Sequence, residues 1–394
     1  MGWSGQRFRS VVLGGLCSLA LAATAAAEVT TERSASILVF PKVLFEDPAP
    51  GATTDTIIQI SNTSNSVVYA HCFYVNAAPF DPELPPGPTN PRQWQEVDFD
   101  IVLTRQQPTH WRVSEGRTTN PFDPACSLRG TCVGGADEGA PCEFPSDCQS
   151  GLCSNTMCEG AGFDPGRIPP VPPGFEGELK CIEVDQSGAP ISGNHLKGEA
   201  TLLSTPAPRA ARKYNAIGLL GFDTNNSDNV LCLGGEPRAS CPTGAEYTGC
   251  PDVLFTTHYA EGASNPAVRA LLGQQVPVFS ELTLVPCTQD FERQIPARVV
   301  VQFVVYNEFE EPFSTSTTVE CWENFRLGEI NPIFSEANLG TRYAQTRMVS
   351  AGADPGLVGV MEELHGPTEG RTAFNLHVSG ERALGDLVVV PERP

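Results

Sequence analysis

The sequence predicts an all-β protein: one or two β-sandwiches carrying a disulfide-rich insertion. Gly 37 and Pro 35 in 394 residues punctuate the chain densely, which favours short strands joined by turns over long helices. Runs of β-branched and aromatic residues recur with a period of two, the alternation of half-buried strands. An export-type leader precedes 13 of the 14 cysteines, which is the cysteine usage of an oxidising compartment.

Residues 1–27 read as a secretion signal. Arg7 and Arg9 supply the basic start, Val11 to Ala23 the apolar stretch, and Ala25-Ala26-Ala27 the small residues before cleavage. The apolar run is short for a membrane span. Cys17 follows Leu16, where a lipoprotein signal wants a small residue, so Cys17 is expected to leave with the leader. The remaining chain holds 23 basic and 46 acidic residues, a formal charge of −23. That charge repels nucleic acid and anionic membrane and leaves cations as the favoured counter-species. No later run of 18 apolar residues occurs, so no transmembrane segment is expected after cleavage.

Ser34 to Phe40 is a strand expected to stop at Pro41. Thr56–Ile60 and Val67–Val75 flank the polar stretch Ser61–Ser66, which predicts a β-hairpin over 55–77. Its second arm is apolar on both faces, as in a strand covered on two sides. Trp94–Thr104 alternates Val97, Phe99 and Ile101 with Asp98 and Asp100, and His110–Val113 is a shorter strand.

At Asn120-Pro121 the composition changes. Residues 121–175 contain Cys126, Cys132, Cys142, Cys148, Cys153 and Cys158 with few large aliphatics, so cross-links rather than a core must hold them. Six cysteines allow 15 pairings. A zinc site would want a C-x-x-C pair or a histidine, and the segment has neither. Gly139-Ala140-Pro141-Cys142 and Asp147-Cys148-Gln149-Ser150-Gly151-Leu152-Cys153 resemble small cysteine-rich repeats of bacterial surface proteins, which implies a disulfide module. A Pro-rich linker, Pro165 to Gly174, closes it.

Strands resume at 177–184 and 198–203. Cys72 and Cys181 both sit on strands, and a bridge between them is expected as an inter-sheet staple spanning the insert. From Tyr214 the sequence reads as irregular. Ser264–Gly273 is a short helix with a polar cap, Pro near its start and Gly just past its end. Pro296–Tyr306 and Phe313–Trp322 form a second hairpin, and Cys287–Cys321 is the second expected bridge. Thirteen cysteines leave one thiol over.

No catalytic residue emerges. G-x-S-x-G and H-E-x-x-H are absent, and the six histidines, at 71, 110, 195, 258, 365 and 377, are scattered. His365 and His377 could share a site by spacing alone, and Glu362-Glu363 before His365 reads as a solvated turn. Paired carboxylates for glycoside hydrolysis are the remaining enzymatic option: Glu308, Glu310 and Glu311 crowd one loop, and Glu320 and Glu323 flank Trp322, an aromatic suited to sugar stacking. Asp223, Asn225, Ser227 and Asp228 offer oxygen ligands at alternating positions, a possible calcium loop. It departs from the EF-hand, with Asp228 at the sixth position and Gly234 at the twelfth, and an Asx-rich turn that caps its own backbone is the competing reading. Asn62-Thr63-Ser64 and Asn225-Asn226-Ser227 are sequons that matter only in a eukaryotic host, whereas four lysines against many arginines fit a bacterial one.

The order of the first third, from Ile37-Leu38-Val39-Phe40-Pro41 through Asp55–Ile60 with Asn62 after it to Asp98-Phe99 and Trp111, resembles secreted bacterial β-proteins. The likeness spans roughly 35–115. It implies immunoglobulin-like sandwiches and transfers no functional residue. The expected organisation is therefore a leader (1–27), a first sandwich (28–120 and 176–210) interrupted by the cysteine-rich insert (121–175), and a second β-rich region (211–394). The expected role is a secreted, non-catalytic structural or adhesion protein of the cell surface or periplasm with an extracellular protein or glycan as ligand. A secreted carbohydrate-active enzyme is the alternative.

Overall fold

The first strand, β1 (Ile37–Ala49), runs through Pro41 instead of stopping there. A bulge between Phe40 and Val43 absorbs the residue that cannot donate to the ladder. Beyond it β1 turns from one sheet into another, pairing first with β9 and finally with β2. The computed structural model describes residues 29–49, 52–87, 89–117, 166–205, 212–366 and 370–391, with short stretches at 130–132, 135–136, 140–142 and 153–154. The leader, Cys126, Cys148 and Cys158 lie outside the described residues.

The strands that follow are β2 (Ala52–Asn62), β3 (Val68–Asn76), β4 (Gln95–Leu103) and β5 (Pro108–Arg112). The cysteine-rich stretch contributes β6 (Gly130–Cys132), β7 (Pro141–Cys142) and β8 (Cys153–Ser154). Then come β9 (Phe175–Val184), β10 (Leu196–Thr205), β11 (Lys213–Asn215) and β12 (Ile217–Leu219). One sheet of this first half has the order β12-β1-β9-β3-β4 and the other β5-β2-β10-β11. Their facing side chains, among them Phe40, Ile58, Ile60, Tyr74, Ile101, Trp111 and Leu179, form one core.

Residues 55–77 are not a hairpin. β2 pairs with β10 and β5, whereas β3 pairs with β9 and β4, so Thr63–Val67 carries the chain from one sheet to the other. Asn62 holds this arch. Buried, it donates to the carbonyls of Ser66 (2.7 Å) and Thr104 (2.9 Å) and accepts from the Ser64 amide (2.7 Å). The inter-sheet role expected of Cys72–Cys181 is also corrected. The two are bonded, but they stand opposite each other on β3 and β9 of one sheet, 4.0 Å apart at Cα.

The second half contains β13 (Val230–Leu233), β14 (Pro251–Tyr259), helix α1 (Pro266–Leu272), β15 (Val278–Pro286), β16 (Gln289–Asp290), β17 (Arg298–Asn307) and β18 (Pro312–Glu320). It ends with β19 (Glu323–Arg326), β20 (Tyr343–Ser350), β21 (Leu357–His365), β22 (Gly370–Asn375), β23 (His377–Glu381) and β24 (Asp386–Val389). The region after Tyr214 is thus far from irregular: β14 is a nine-residue strand inside a five-stranded sheet, β18-β17-β20-β14-β23. That sheet packs on β19-β15-β21-β22 through Val299, Val301, Phe303, Met348, Leu282, Leu284 and Met361. A small third sheet, β13-β24-β16, completes this half. β17 and β18 pair as the hairpin the sequence predicts, and α1 carries the Asn265 cap and the left-handed Gly273.

A third core joins the halves. Ile37, Val39, Phe73, Val75 and Ile182 on the back of the first sheet meet Leu231, Tyr247, Val285, Phe291, Trp322 and Val388. Phe73 stacks on Phe291 with ring centroids 4.4 Å apart. This explains why β3 is apolar on both faces. Here Cys287 is bonded to Cys250, not to Cys321. Cys321 lies past the end of β18 in a left-handed backbone conformation (φ 67°) and remains a free, buried thiol. Cys232 and Cys241 form the third bridge seen among the described residues.

Buried charge also crosses this junction. The Lys42 ammonium meets Glu362 (2.5 Å), Glu281 (3.1 Å) and the Asn324 side-chain oxygen (3.1 Å), all from the second half. Arg212 donates to the same Glu362 carboxylate at 2.6 Å. Lys42, Arg212 and Glu362 are each fully covered. Glu362 is therefore no solvated turn but the centre of an ion cluster. Burial opposes its charge, yet Lys42 and Arg212 outweigh that and hold its pKa down to about 2.

Two measurements test this architecture. Arg117 and Ile168 exchange backbone hydrogen bonds at the base from which the insert departs (2.8 and 2.9 Å). Replacing 119–165 by Asn-Gly should leave a folded protein whose melting midpoint shifts by no more than about 4 °C. A product with far-UV but no near-UV dichroism would show that the segment is integral. Glu362→Gln should cost about 3–5 kcal/mol at pH 7, because it removes the carboxylate that two buried cations share. A carboxylate held low in the fold stabilises above the unfolded carboxylate range and loses that contribution as pH falls through its folded pKa. The gap between parent and variant in urea unfolding should therefore narrow from about pH 5 towards pH 2. A gap independent of pH would sink the assignment.

Candidate ligand groove

The outer face of the five-stranded sheet is open. Along β20, Tyr343, Gln345 and Arg347 point outward and are exposed, while Ala344, Thr346 and Met348 between them are buried. Cross-strand register sets Gln345 between Thr257 on β14 and Tyr306 on β17. The β17–β18 turn contributes Glu308 and Glu310 at one end. Sheet and turn together bound a groove of about 650 Å³ lined by Thr257, Tyr306, Asn307, Glu308, Glu310, Tyr343, Ala344, Gln345 and Arg347. That volume is typical of sites for small organic ligands.

Asn307 shapes the turn. Its side-chain oxygen accepts from the Phe309 and Glu311 amides (2.9 and 3.0 Å), and its amide group donates to Glu311 (2.8 Å) and to the Leu339 carbonyl (2.9 Å). Glu308 accepts from the Arg342 backbone N–H at 3.3 Å. Glu310 sits at φ 64°, a left-handed conformation unfavourable to a residue with a Cβ. The Tyr343 ring rests against Tyr259, centroids 4.6 Å apart, its hydroxyl donating to the Tyr259 hydroxyl at 3.0 Å, and it stays 39% exposed.

Of the acids the sequence puts forward, the structure brings Glu308 and Glu310 together in the groove. Glu311 is bound to Asn307, Glu320 pairs with Arg298 (3.3 Å) and Glu323 pairs with Arg92 (2.8 Å). Trp322 cannot serve as a sugar platform, because it is wholly buried and donates to the Pro41 carbonyl at 2.6 Å. His365 lies on β21 and His377 on β23, in different sheets.

In the loop proposed for calcium, Asn225 accepts from the Ser227 amide (2.7 Å) and donates to the Tyr247 hydroxyl (2.5 Å), while Asp228 accepts from the Val230 amide (2.8 Å). These side chains serve the local backbone, and Asp223 and Ser227 are exposed on the same loop. Among the described residues, Cys250, Cys287 and Asp386 are the one group of three His, Cys, Asp or Glu ligands that converge, and both sulfurs there are spent in a disulfide. A smaller cavity of about 240 Å³ lies at the seam of the halves, with Val29, Ile217, Leu254, Phe255 and His377 in its lining. No described helix is long and apolar enough to cross a membrane.

No family model and no curated protein matches the chain. Among solved structures, a chain of the cryo-EM structure of Broad Bean Stain Virus aligns at 10% identity over 96% of this chain and 100% of that one. Its TM-score of 0.15 carries no argument about fold or role.

The sequence missed Tyr306, Tyr343, Gln345 and Arg347. The signal was present in the alternation of 343–348, where aromatic, amide and guanidinium groups fall on one face. Glycine or asparagine is the usual occupant of a left-handed turn position. Glu310→Gly should therefore stabilise the protein by about 0.5–1 kcal/mol in urea unfolding, strain relief exceeding the entropy glycine adds to the unfolded chain. No gain would mean that Glu310 is unstrained.

Proposed function

We propose that this chain is a secreted, non-catalytic binding protein of the cell surface or periplasm, built of immunoglobulin-like β-sandwiches with a cysteine-rich insert. The open face of the five-stranded sheet is its binding surface. The observation that carries this reading is the groove itself. It combines two tyrosines with Glu308, Glu310 and Arg347 on a sheet anchored from behind by a packed core. Aromatic rings with adjacent polar groups are what recognition surfaces use, and a rigid scaffold lowers the cost of ordering them. The three disulfides among the described residues suit an oxidising compartment.

The test applies fluorescently labelled mature protein to intact cells of the producing organism. The parent should bind saturably, and Tyr343→Ala/Arg347→Ala at least tenfold more weakly with an unchanged melting midpoint. Equal binding of both proteins overturns the groove as the binding surface.

A carbohydrate-active enzyme is the second reading, favoured by the shared position of Glu308 and Glu310. Reducing-end release from polysaccharides, abolished in Glu308→Gln or Glu310→Gln, would establish it in place of binding alone.

A further inference from the structure

We infer that the groove takes a neutral, polyhydroxylated ligand: a saccharide with one ring face on Tyr343 and its hydroxyls shared between the carboxylates and Arg347. The inference rests on the binding role proposed above and names its ligand class.

Charge balance points this way. Glu308, Glu310 and Arg347 are exposed, and none forms an ion pair within reach among the described residues. They do not neutralise one another, yet they line the same groove. A cationic ligand would meet Arg347 and an anionic one would meet two carboxylates. Sugar hydroxyls are donor and acceptor at once, so they satisfy both signs without bringing a charge of their own. Planar guanidinium and carboxylate forks also match pairs of neighbouring hydroxyls. Gln345 and Thr257, exposed beside them, add neutral donors and acceptors.

The apolar part of the groove fits the same ligand. Tyr343 and Tyr306 lie on adjacent strands, and Tyr343 is held by Tyr259 while open to water. Sugar rings present patches of C–H on their faces, and such patches pack on aromatic rings while the ring edge hydrogen-bonds outward. Glu308 is positioned by the Arg342 amide, and Glu310 is kept in an unfavourable backbone conformation. Both features suit side chains aimed at a ligand.

The experiment measures binding of the mature protein to three oligosaccharide sets: neutral (mixed-linkage glucan, mannan and chitin fragments), anionic (polygalacturonate fragments) and cationic (chitosan fragments). A neutral oligosaccharide should bind with little dependence on salt between 50 and 500 mM, and about tenfold more weakly to Tyr343→Ala. Arg347→Ala and Glu308→Gln should each weaken it by roughly three- to tenfold. Tyr306→Ala serves as the second ring variant should Tyr343→Ala melt early. Binding confined to the charged sets, or neutral binding indifferent to all four variants, overturns the inference. If the labelled protein still binds cells through the groove and no neutral oligosaccharide competes, the ligand class is wrong while the binding role stands. If cell binding ignores the groove, both fall.

Discussion

Strand β1 bulges at Pro41–Lys42, ahead of its passage from one sheet to the other, and the joining of the two halves depends on how that bulge is satisfied. A bulge leaves backbone groups without ladder partners, and burying them unpaired is costly. Here side chains supply the partners. Trp322 donates to the Pro41 carbonyl, and the Tyr214 hydroxyl donates to the Lys42 carbonyl (2.5 Å) while accepting from the Lys42 amide (3.1 Å). The Lys42 side chain then runs out of the first half and places all three ammonium protons on groups of the second. One irregularity thus bends a strand, closes a sandwich and docks a second one.

The junction around it is unusually polar for a core. Lys180 hydrogen-bonds Gln289, which in turn donates to Glu178, and all three are covered. Burial pushes the Glu178 pKa up and the Lys180 pKa down, against their mutual attraction. Arg92 bridges Glu176 and Glu323 above the Trp322 ring, 5.0 Å from its centre. Such groups add little net stability compared with apolar residues, but each fixes a register, because a shifted docking would leave it unpaired. The relative placement of the sheets is therefore set by charge as much as by shape.

The all-β class, the β17–β18 hairpin, the short helix and the two-faced burial of β3 were legible, because each rests on local periodicity or on turn and cap chemistry. The arch at Thr63–Val67 was not. A polar connection between two apolar runs is the same string whether the runs pair with each other or with strands a hundred residues away. Lys42 was hidden for a related reason. Pro41 argues for a strand end, and only the later half of the chain supplies the acids that make a buried lysine tolerable. The clue was its setting, a lone charge inside ILVFPKVLF. Cys321 could not be told from its bonded counterparts, since spacing does not encode which sulfurs meet.

The acids show how structure sharpens composition. With 46 of them in the chain, clusters arise by chance, and sequence alone cannot separate a working carboxylate from a solubilising one. The fold separates them by use. Glu362 neutralises Lys42 and Arg212, Glu323 holds Arg92, Glu311 closes a turn, and Glu183 binds His195 (2.7 Å) and its amide. Each of these has a structural reason to be where it is. Glu310 has none among the described residues, and its backbone conformation opposes it. Glu308 has a single long contact to the Arg342 amide. Glu308 and Glu310 are thus the two of these acids that stay free of ion pairs among the described residues, and both line the same groove.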